Sequence, residues 1–234
     1  MNYVIGDIHS NAVELSALMR RLHLCPEDRL IFVGDYLDKG NDPNETLGIL
    51  NGLNDMYECD FLIGNHEYVW NQYLLHGDVS RNEFLLKFGG VETIKPFFPD
   101  SPEQKLENNQ VEEMREALDQ YMQLISRCKP FIQRDAFLVV HAGLLPEQLY
   151  QDPLHIQERN FFLRPEQMDM RRRYLDRYIV VAGHTHLGEN PTFTEGYVNI
   201  DLGAGYGKRL GAFCLEERNV VRSDGVVFTY QQTI

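Results

Sequence analysis

Five short apolar runs punctuate this chain, and each ends abruptly in polar residues. They are Tyr3-Val4-Ile5, Leu30-Ile31-Phe32-Val33, Phe61-Leu62-Ile63, Phe137-Leu138-Val139-Val140 and Tyr178-Ile179-Val180-Val181. Runs of this length predict buried strands. Between the first two, residues 11–24 place Val13, Leu15, Leu18, Met19 and Leu22 at helical spacing. Asn11, with Glu14 three residues on, makes an N-terminal cap pair for that helix. Residues 44–53 and 67–75 predict two more helices. The first part of the chain therefore runs β-α-β-α-β, the order of a layered α/β domain.

The alternation stops between residues 79 and 134. Gly89-Gly90 and the prolines at 96 and 102 interrupt it, and residues 103–128 read as one long charged helix. This stretch reads as a helical insertion within a single domain of residues 1–234. It either shapes access to a site or is plain helical packing. The core pattern resumes at Phe137, with helical stretches at 144–150 and 165–176. After His186, short alternating stretches at 198–201, 211–215 and 226–230 predict a second sheet. Two packed sheets with helices outside are the expected architecture.

Composition narrows the picture. The chain has 234 residues, 43% hydrophobic and 24% charged, which is ordinary for a globular protein. It holds no apolar stretch of the roughly 20 residues that span a membrane. The first strand begins so early that no cleaved leader precedes it, so a cytoplasmic location is expected. Cys25, Cys59, Cys128 and Cys214 lack CxxC spacing, and any metal would be held by oxygen and nitrogen. The net charge of −13 argues against nucleic acid as a partner. Bound divalent cations would reverse that sign locally and admit a phosphorylated substrate.

The residues that close the apolar runs are of metal-ligand type, and ligands gather beyond strand ends in layered α/β folds. Asp7 and His9 are two apart, and an extended chain points such a pair to one side, where they can grip one cation. Asp35 has two carboxylate oxygens and can bridge two ions. Asp38 is better suited to orienting an imidazole. Adjacent residues diverge in extended chain, which splits Asn65, as a ligand, from His66, as a proton donor. Glu67 opens the following helix and reads as structural. A lone His141 would more often be a satisfied core side chain, whereas His184 and His186 repeat the two-apart spacing. Five of the eight histidines lie in these motifs.

In order, Gly6-Asp7-Ile8-His9, Gly34-Asp35 with Asp38-Lys39-Gly40, Gly64-Asn65-His66-Glu67, His141-Ala142-Gly143 and Gly183-His184-Thr185-His186 resemble the calcineurin-like metallophosphoesterase superfamily. Asn199-Ile200-Asp201-Leu202-Gly203 and Tyr206-Gly207-Lys208-Arg209-Leu210 resemble its C-terminal strand and turn. The forms around Asp35 and Asn65, and Phe88-Gly89-Gly90-Val91-Glu92-Thr93, are similar to those of bacterial serine/threonine phosphoprotein phosphatases and symmetrical diadenosine tetraphosphatases. The resemblance implies a four-layer αββα sandwich with a helical insertion, and two divalent ions. One ion would take Asp7, His9, Asp35 and His186, and the other Asp35, Asn65, His141 and His184. His66 resembles the family's leaving-group acid, with Asp38 as its partner. Manganese is the first expectation, with iron or zinc also compatible.

The activity so implied is hydrolysis of phosphomonoesters, phosphoserine and phosphothreonine in proteins included, by direct attack of a metal-bridging hydroxide. The alternative is a symmetrical bis(5'-nucleosyl)-tetraphosphate hydrolase. A non-catalytic scaffold would have lost ligands or the acid, yet all seven ligand positions and His66 are filled. A nuclease fits poorly with the −13 charge. Three positions depart from the family pattern: Ser10 stands where Gly is usual, Lys39 where Arg is usual, and Ile63 where eukaryotic-type protein phosphatases carry a phosphate-gripping Arg. An aliphatic side chain cannot replace a guanidinium fork. Arg209, Lys39 and Asn65 are the substrate-binding expectations, with Lys208 and Arg81 as further cations.

Overall fold

The computed structural model describes residues 1–231. Its first part alternates as expected: β1 Asn2–Ile5, α1 Ala12–Leu22, β2 Arg29–Phe32, α2 Pro43–Met56, β3 Glu58–Phe61 and α3 Asn65–Leu74. The Asn11 side chain accepts from the backbone N–H of Glu14 at 3.1 Å, so the predicted cap forms. Such a cap contributes about 1 kcal/mol. Leu15, Leu18 and Leu22 form the buried stripe of α1.

The middle differs from the sequence expectation. Residues 103–128 form no single long helix. The stretch from 82 to 126 folds as α4 Asn82–Lys87, α5 Gly90–Ile94, α6 Pro102–Glu107, α7 Val111–Ala117 and α8 Asp119–Ser126. Asn109, at φ 51°, breaks the run between α6 and α7. Leu106, Met114, Leu118, Tyr121 and Ile125 nevertheless all face the same core. Residues 165–176 also fail to form a helix. Only a short 3-10 turn at Pro165–Gln167 appears, and Leu175 and Asp176 are left-handed, at φ 51° and 54°.

The remaining strands are β4 Phe131–Arg134, β5 Phe137–Val140, β6 Ile179–Ala182, β7 Thr192–Phe193, β8 Tyr197–Asn199, β9 Gly211–Cys214, β10 Asn219–Arg222 and β11 Val227–Thr229. The C-terminal strands do not make a sheet of their own. One sheet has six strands in the order β11-β10-β9-β1-β2-β3, and the other five in the order β4-β5-β6-β8-β7. Parallel pairing joins β1 to β2 to β3, and β5 to β6 to β8.

Alternation along the strands generates the layers. Tyr3, Ile5, Leu30 and Phe32 face a core shared with α1, α2, α3 and α8. Val4, Ile31 and Val33 face the opposite way, against Val139, Val181 and Val198 of the second sheet. Leu138, Val140 and Val180 then face a third cluster with Leu144, Leu149, Leu154 and Tyr174. Three cores separate four layers, as the sandwich requires. Among the described residues, the outermost layer over the second sheet is built from 3-10 turns and loops between 144 and 178. No helix among the described residues is long and apolar enough to cross a membrane. The carboxyl ends of β1, β2, β3, β5, β6 and β8 deliver Asp7, Asp35, Asn65, His141, His184 and Asp201 respectively.

Candidate functional site

Asp35 lies at the centre of the site, fully buried, and its two carboxylate oxygens face different groups. Oδ2 is 3.3 Å from His9 Nε2 and 3.9 Å from His66 Nε2. Oδ1 is 3.5 Å from His141 Nε2. His9, Asp35 and His66 thus form one potential metal-holding group, and Asp35, His141 and His184 another. Burial alone would raise the Asp35 carboxyl, but the His141, His66 and His9 imidazoles outweigh it and hold the group well below the usual carboxylate range.

The histidine tautomers are set by backbone carbonyls. His9 Nδ1 meets Leu37 O at 2.9 Å, and His141 Nδ1 meets Val33 O at 2.9 Å. Each Nδ1–H donates outward, which leaves the Nε2 lone pair aimed into the site, the usual arrangement behind a metal-ligating imidazole. His141 Nε2 then sits 2.9 Å from Asn65 Oδ1 and 3.2 Å from His184 Nδ1. His184 Nδ1 is itself 2.9 Å from Asn65 Oδ1. Two of these three atoms are bare acceptors, and His184 supplies at most one proton. Ligands held at about 2.1 Å from a common ion lie roughly 3.0–3.4 Å apart, so the triangle fits a cation. The orphaned buried atom Asp7 Oδ1 marks a further deficit of positive charge.

The other side of Asp35 is more open in geometry. Asp7 Oδ2 accepts from the His184 backbone N–H at 2.9 Å. Burial, then the charges of Asp201 and Asp35, push the Asp7 carboxyl well above the usual range. Three carboxylates repelling one another in a buried space favour a bound cation. Lys39 Nζ lies 2.8 Å from His9 Nε2 and so places a positive charge on this side. The His186 ring packs beside Gly203 and 5.8 Å from the Tyr206 ring, and its Nδ1 is 3.5 Å from Asp201 O. His186 belongs to neither tight group; it flanks the His9 side.

Asp38 is fully buried and saturated. Its Oδ2 meets His66 Nδ1 at 2.6 Å, and the Trp70 indole N–H donates to both oxygens at 3.0 and 3.2 Å. Thr93 Oγ1 donates to Asp38 Oδ1 at 2.5 Å and accepts from its backbone N–H at 2.9 Å. His66 Nδ1–H is thereby committed to Asp38, and Nε2 is free toward Asp35. Thr93 and Trp70 were not singled out from sequence. Thr93 lies in the helical stretch between α3 and β4, whose Gly89 carbonyl also accepts from the Lys39 N–H at 3.3 Å. A Cβ on Gly89 would fall 2.2 Å from Lys39 N, and φ there is 96°, so only glycine suits this contact.

Glu67 closes the frame. Its carboxylate accepts from the backbone N–H groups of Asp35, Tyr36 and Gly64 at 2.7, 3.0 and 3.1 Å, and from the Tyr121 hydroxyl at 2.7 Å. Burial, then the Asp35 charge, push it up to about 7 despite these donors. It ties the loop after β2 to the start of α3, so its role is structural, as expected.

Two of the geometric reasons read from sequence are corrected. Asp7 and His9 do not converge through extended chain, because β1 ends at Ile5 and His9 is left-handed at φ 49°. Asn65 and His66 diverge as the first residues of α3, by helical rotation. Ser10, Asp35, Asp38, Lys39 and His184 are also left-handed, at φ 54°, 53°, 67°, 61° and 69°. Such conformations are costly for residues other than glycine and concentrate at functional sites.

The expected substrate cations separate. Arg209 pairs with Glu14 at 2.9 Å and lies 3.9 Å from Asp224. Lys208 pairs with Glu189 at 3.3 Å, and Arg81 with Asp78 and Glu158 at 2.8 and 3.0 Å. Only Lys39 of that set touches a site residue. Arg164, missed from sequence, is exposed and in no ion pair among the described residues. Burial, then the His141 imidazole, hold His184 down to about 2, and the Arg164 charge acts in the same direction. The Arg164 charge thus acts on the second group of ligands. The only sequence signal was an arginine closing the apolar stretch Phe161-Phe162-Leu163.

Comparisons with known proteins agree with this geometry. An asymmetrical bis(5'-nucleosyl)-tetraphosphatase PrpE of Geobacillus sp. (strain WCH70) is 26% identical over 231 residues, covering 90% of this chain and 88% of that one. A protein phosphatase 2A catalytic subunit of Dictyostelium discoideum is 26% identical over 160 residues, 67% of this chain and 42% of that one. The crystal structure of a cold-active protein-tyrosine phosphatase of Shewanella sp. superposes with a TM-score of 0.65 at 16% identity, covering 98% of this chain and 80% of that one, and shows a shared fold. The model of the calcineurin-like phosphoesterases matches residues 3–202, which include every ligand-type side chain described above. By motif order, fold and site, this chain belongs to the calcineurin-like phosphoesterase family and is a metal-dependent hydrolase of phosphate esters.

Proposed function

We propose that the site transfers a phosphoryl group directly to water, and that its substrate is a dinucleoside polyphosphate. The observation that carries the chemistry is Asp35, whose two oxygens face separate imidazole groups while His66 Nε2 stands 3.9 Å from one of them. Asp7, His9, Asp35 and His186 would hold one divalent ion, and Asp35, Asn65, His141 and His184 the other, with Mn²⁺ the first expectation. When bound, the ions neutralise phosphate charge and lower the pKa of a water nucleophile. Lys39 and Arg164 bind the non-bridging phosphate oxygens. His66, locked by Asp38, gives its Nε2 proton to the departing oxygen. The Nδ1–H bond to Asp38 keeps the imidazole oriented.

Two observations support the dinucleotide over the phosphoprotein. Ile63 leaves no guanidinium before Gly64. The tetraphosphatase relative matches along nearly the whole of both chains, whereas the chain spans less than half of the protein phosphatase relative. A phosphomonoester is the second reading, supported by that same relative. Incubating the Mn²⁺-loaded protein with diadenosine tetraphosphate and a phosphoserine peptide side by side tests the choice. Faster nucleotide release is expected, and the products, two ADP or ATP with AMP, define the cleaved bond. Faster phosphate release from the peptide would overturn the dinucleotide reading.

Arg164→Ala should raise KM roughly ten- to hundredfold, the range for losing one charge-assisted hydrogen bond. Arg209→Ala, already paired with Glu14, should stay within about twofold of wild type, as surface ion pairs usually do. Steady-state kinetics on the preferred substrate reads both. The reverse order would make Arg209 the phosphate-binding residue.

A further inference from the structure

A ladder of aromatic rings leads away from His66. The Phe84 ring meets the His66 ring edge-on at 5.2 Å, and Phe88 meets Phe84 at 4.6 Å. Phe162 stands against Phe84 at 6.1 Å and near-perpendicular. Phe84 comes from α4, Phe88 from its C-terminal end, and Phe162 from the 3-10 turn at Glu158–Phe162. Phe84 and Phe162 are half-buried, but Phe88 is 40% exposed. Phe88 is thus the outermost ring of this series. Lys87 Nζ lies 5.2 Å from the centre of the Phe88 ring, and Arg164 follows Phe162 by two residues. One cation, Lys87, therefore lies over this exposed ring in a chain whose net charge is −13.

We infer that Phe88, supported by Phe84 and Phe162, is the stacking platform for a nucleobase of the leaving nucleotide. This rests on the dinucleotide reading above and adds the residues that select for it. The position relative to His66 decides the occupant. His66 marks where the departing oxygen lies. An aryl ring bonded directly to that oxygen would stay beside His66, against the half-buried Phe84. The exposed ring is one step further out. A base separated from the reacting phosphorus by ribose and phosphate reaches Phe88, and the intervening phosphates pass the Lys87 and Arg164 cations. Every base has a π face, so the platform selects for a nucleobase without choosing among bases.

Calorimetric titration of the Mn²⁺-loaded protein with AMP and with ribose 5-phosphate tests this without turnover. AMP should bind about 10- to 100-fold more tightly, the range for one stacked base. Phe88→Ala should remove most of that preference, Phe88→Leu should remove nearly as much because it keeps bulk without a π face, and Phe88→Trp should keep it. Equal affinity of wild type for the two ligands overturns the inference, as does a preference that survives Phe88→Ala. A preference for phenyl phosphate over AMP also overturns it, in favour of an aryl ester. A wild-type protein that prefers AMP yet cleaves no dinucleotide keeps the platform and overturns the substrate reading instead.

Discussion

Asp35→Asn should empty both ion positions and lower turnover by about three to five orders of magnitude. Elemental analysis of the dialysed protein, run beside the kinetics, reads both effects. The substitution keeps the shape of the side chain but removes the negative charge and one acceptor. Oδ2 faces His9 and His66, and Oδ1 faces His141, so either oxygen lost to an amide N–H₂ turns a donor toward a bare imidazole nitrogen or a cation. Two ions so held would together supply several kcal/mol of transition-state stabilisation, and each 1.36 kcal/mol is a factor of ten in rate. Asp38→Asn is the control. It removes an equal charge from an equally buried neighbour that touches His66, Trp70 and Thr93 but none of the side chains proposed to hold the ions, so ion content should hold. Full occupancy in Asp35→Asn would show that the ions are held independently and would remove the bridge.

The contrast between Asp35 and Asp38 also shows how far the sequence could be read. The runs ending at Ile5, Val33, Val140 and Val181 were visible because buried parallel strands are continuously apolar, and the polar residues that follow each one are conspicuous. Position beyond a strand end then suggested ligands. What could not be read is conformation. Asp35 and Asp38 are both left-handed, and nothing local in a non-glycine residue announces that. Their strain is tolerated because Glu67 accepts from the Asp35 and Tyr36 N–H groups, and Thr93 accepts from that of Asp38.

The helical stretch between α3 and β4 was the least legible part, for a physical reason. Its helices are five to eight residues long, too short for a hydrophobic period to declare itself. Yet Phe84, Thr93 and Tyr121 contact His66, Asp38 and Glu67 respectively. This stretch therefore forms part of the wall of the site. Arg164 escaped for a related reason. It lies in an irregular stretch among several arginines, and only its lack of a carboxylate partner, a three-dimensional property, separates it from Arg209.

His66→Asn should lower turnover by about 10²–10⁴-fold with ion content unchanged, the range for a lost general acid. The size of the loss should depend on the leaving group, and this separates proton donation from mere support. A serine alkoxide must be protonated as it departs, so the loss should be greatest on a phosphoserine peptide. A departing nucleotide carries its charge on phosphate oxygen, whose second pKa is about 6, and needs the proton less. The loss on diadenosine tetraphosphate should then be the smaller of the two. Asp38→Asn should follow the same order with smaller losses, since it loosens the imidazole without removing it; His66 Nδ1 meets Asp38 at 2.6 Å, and an amide oxygen there still accepts. A loss in His66→Asn that is equal across leaving groups would assign His66 to positioning. No loss at all would leave the departing oxygen without a protein donor, and the site would then have to expel it to solvent as an anion, which only a nucleotide-like leaving group tolerates at neutral pH.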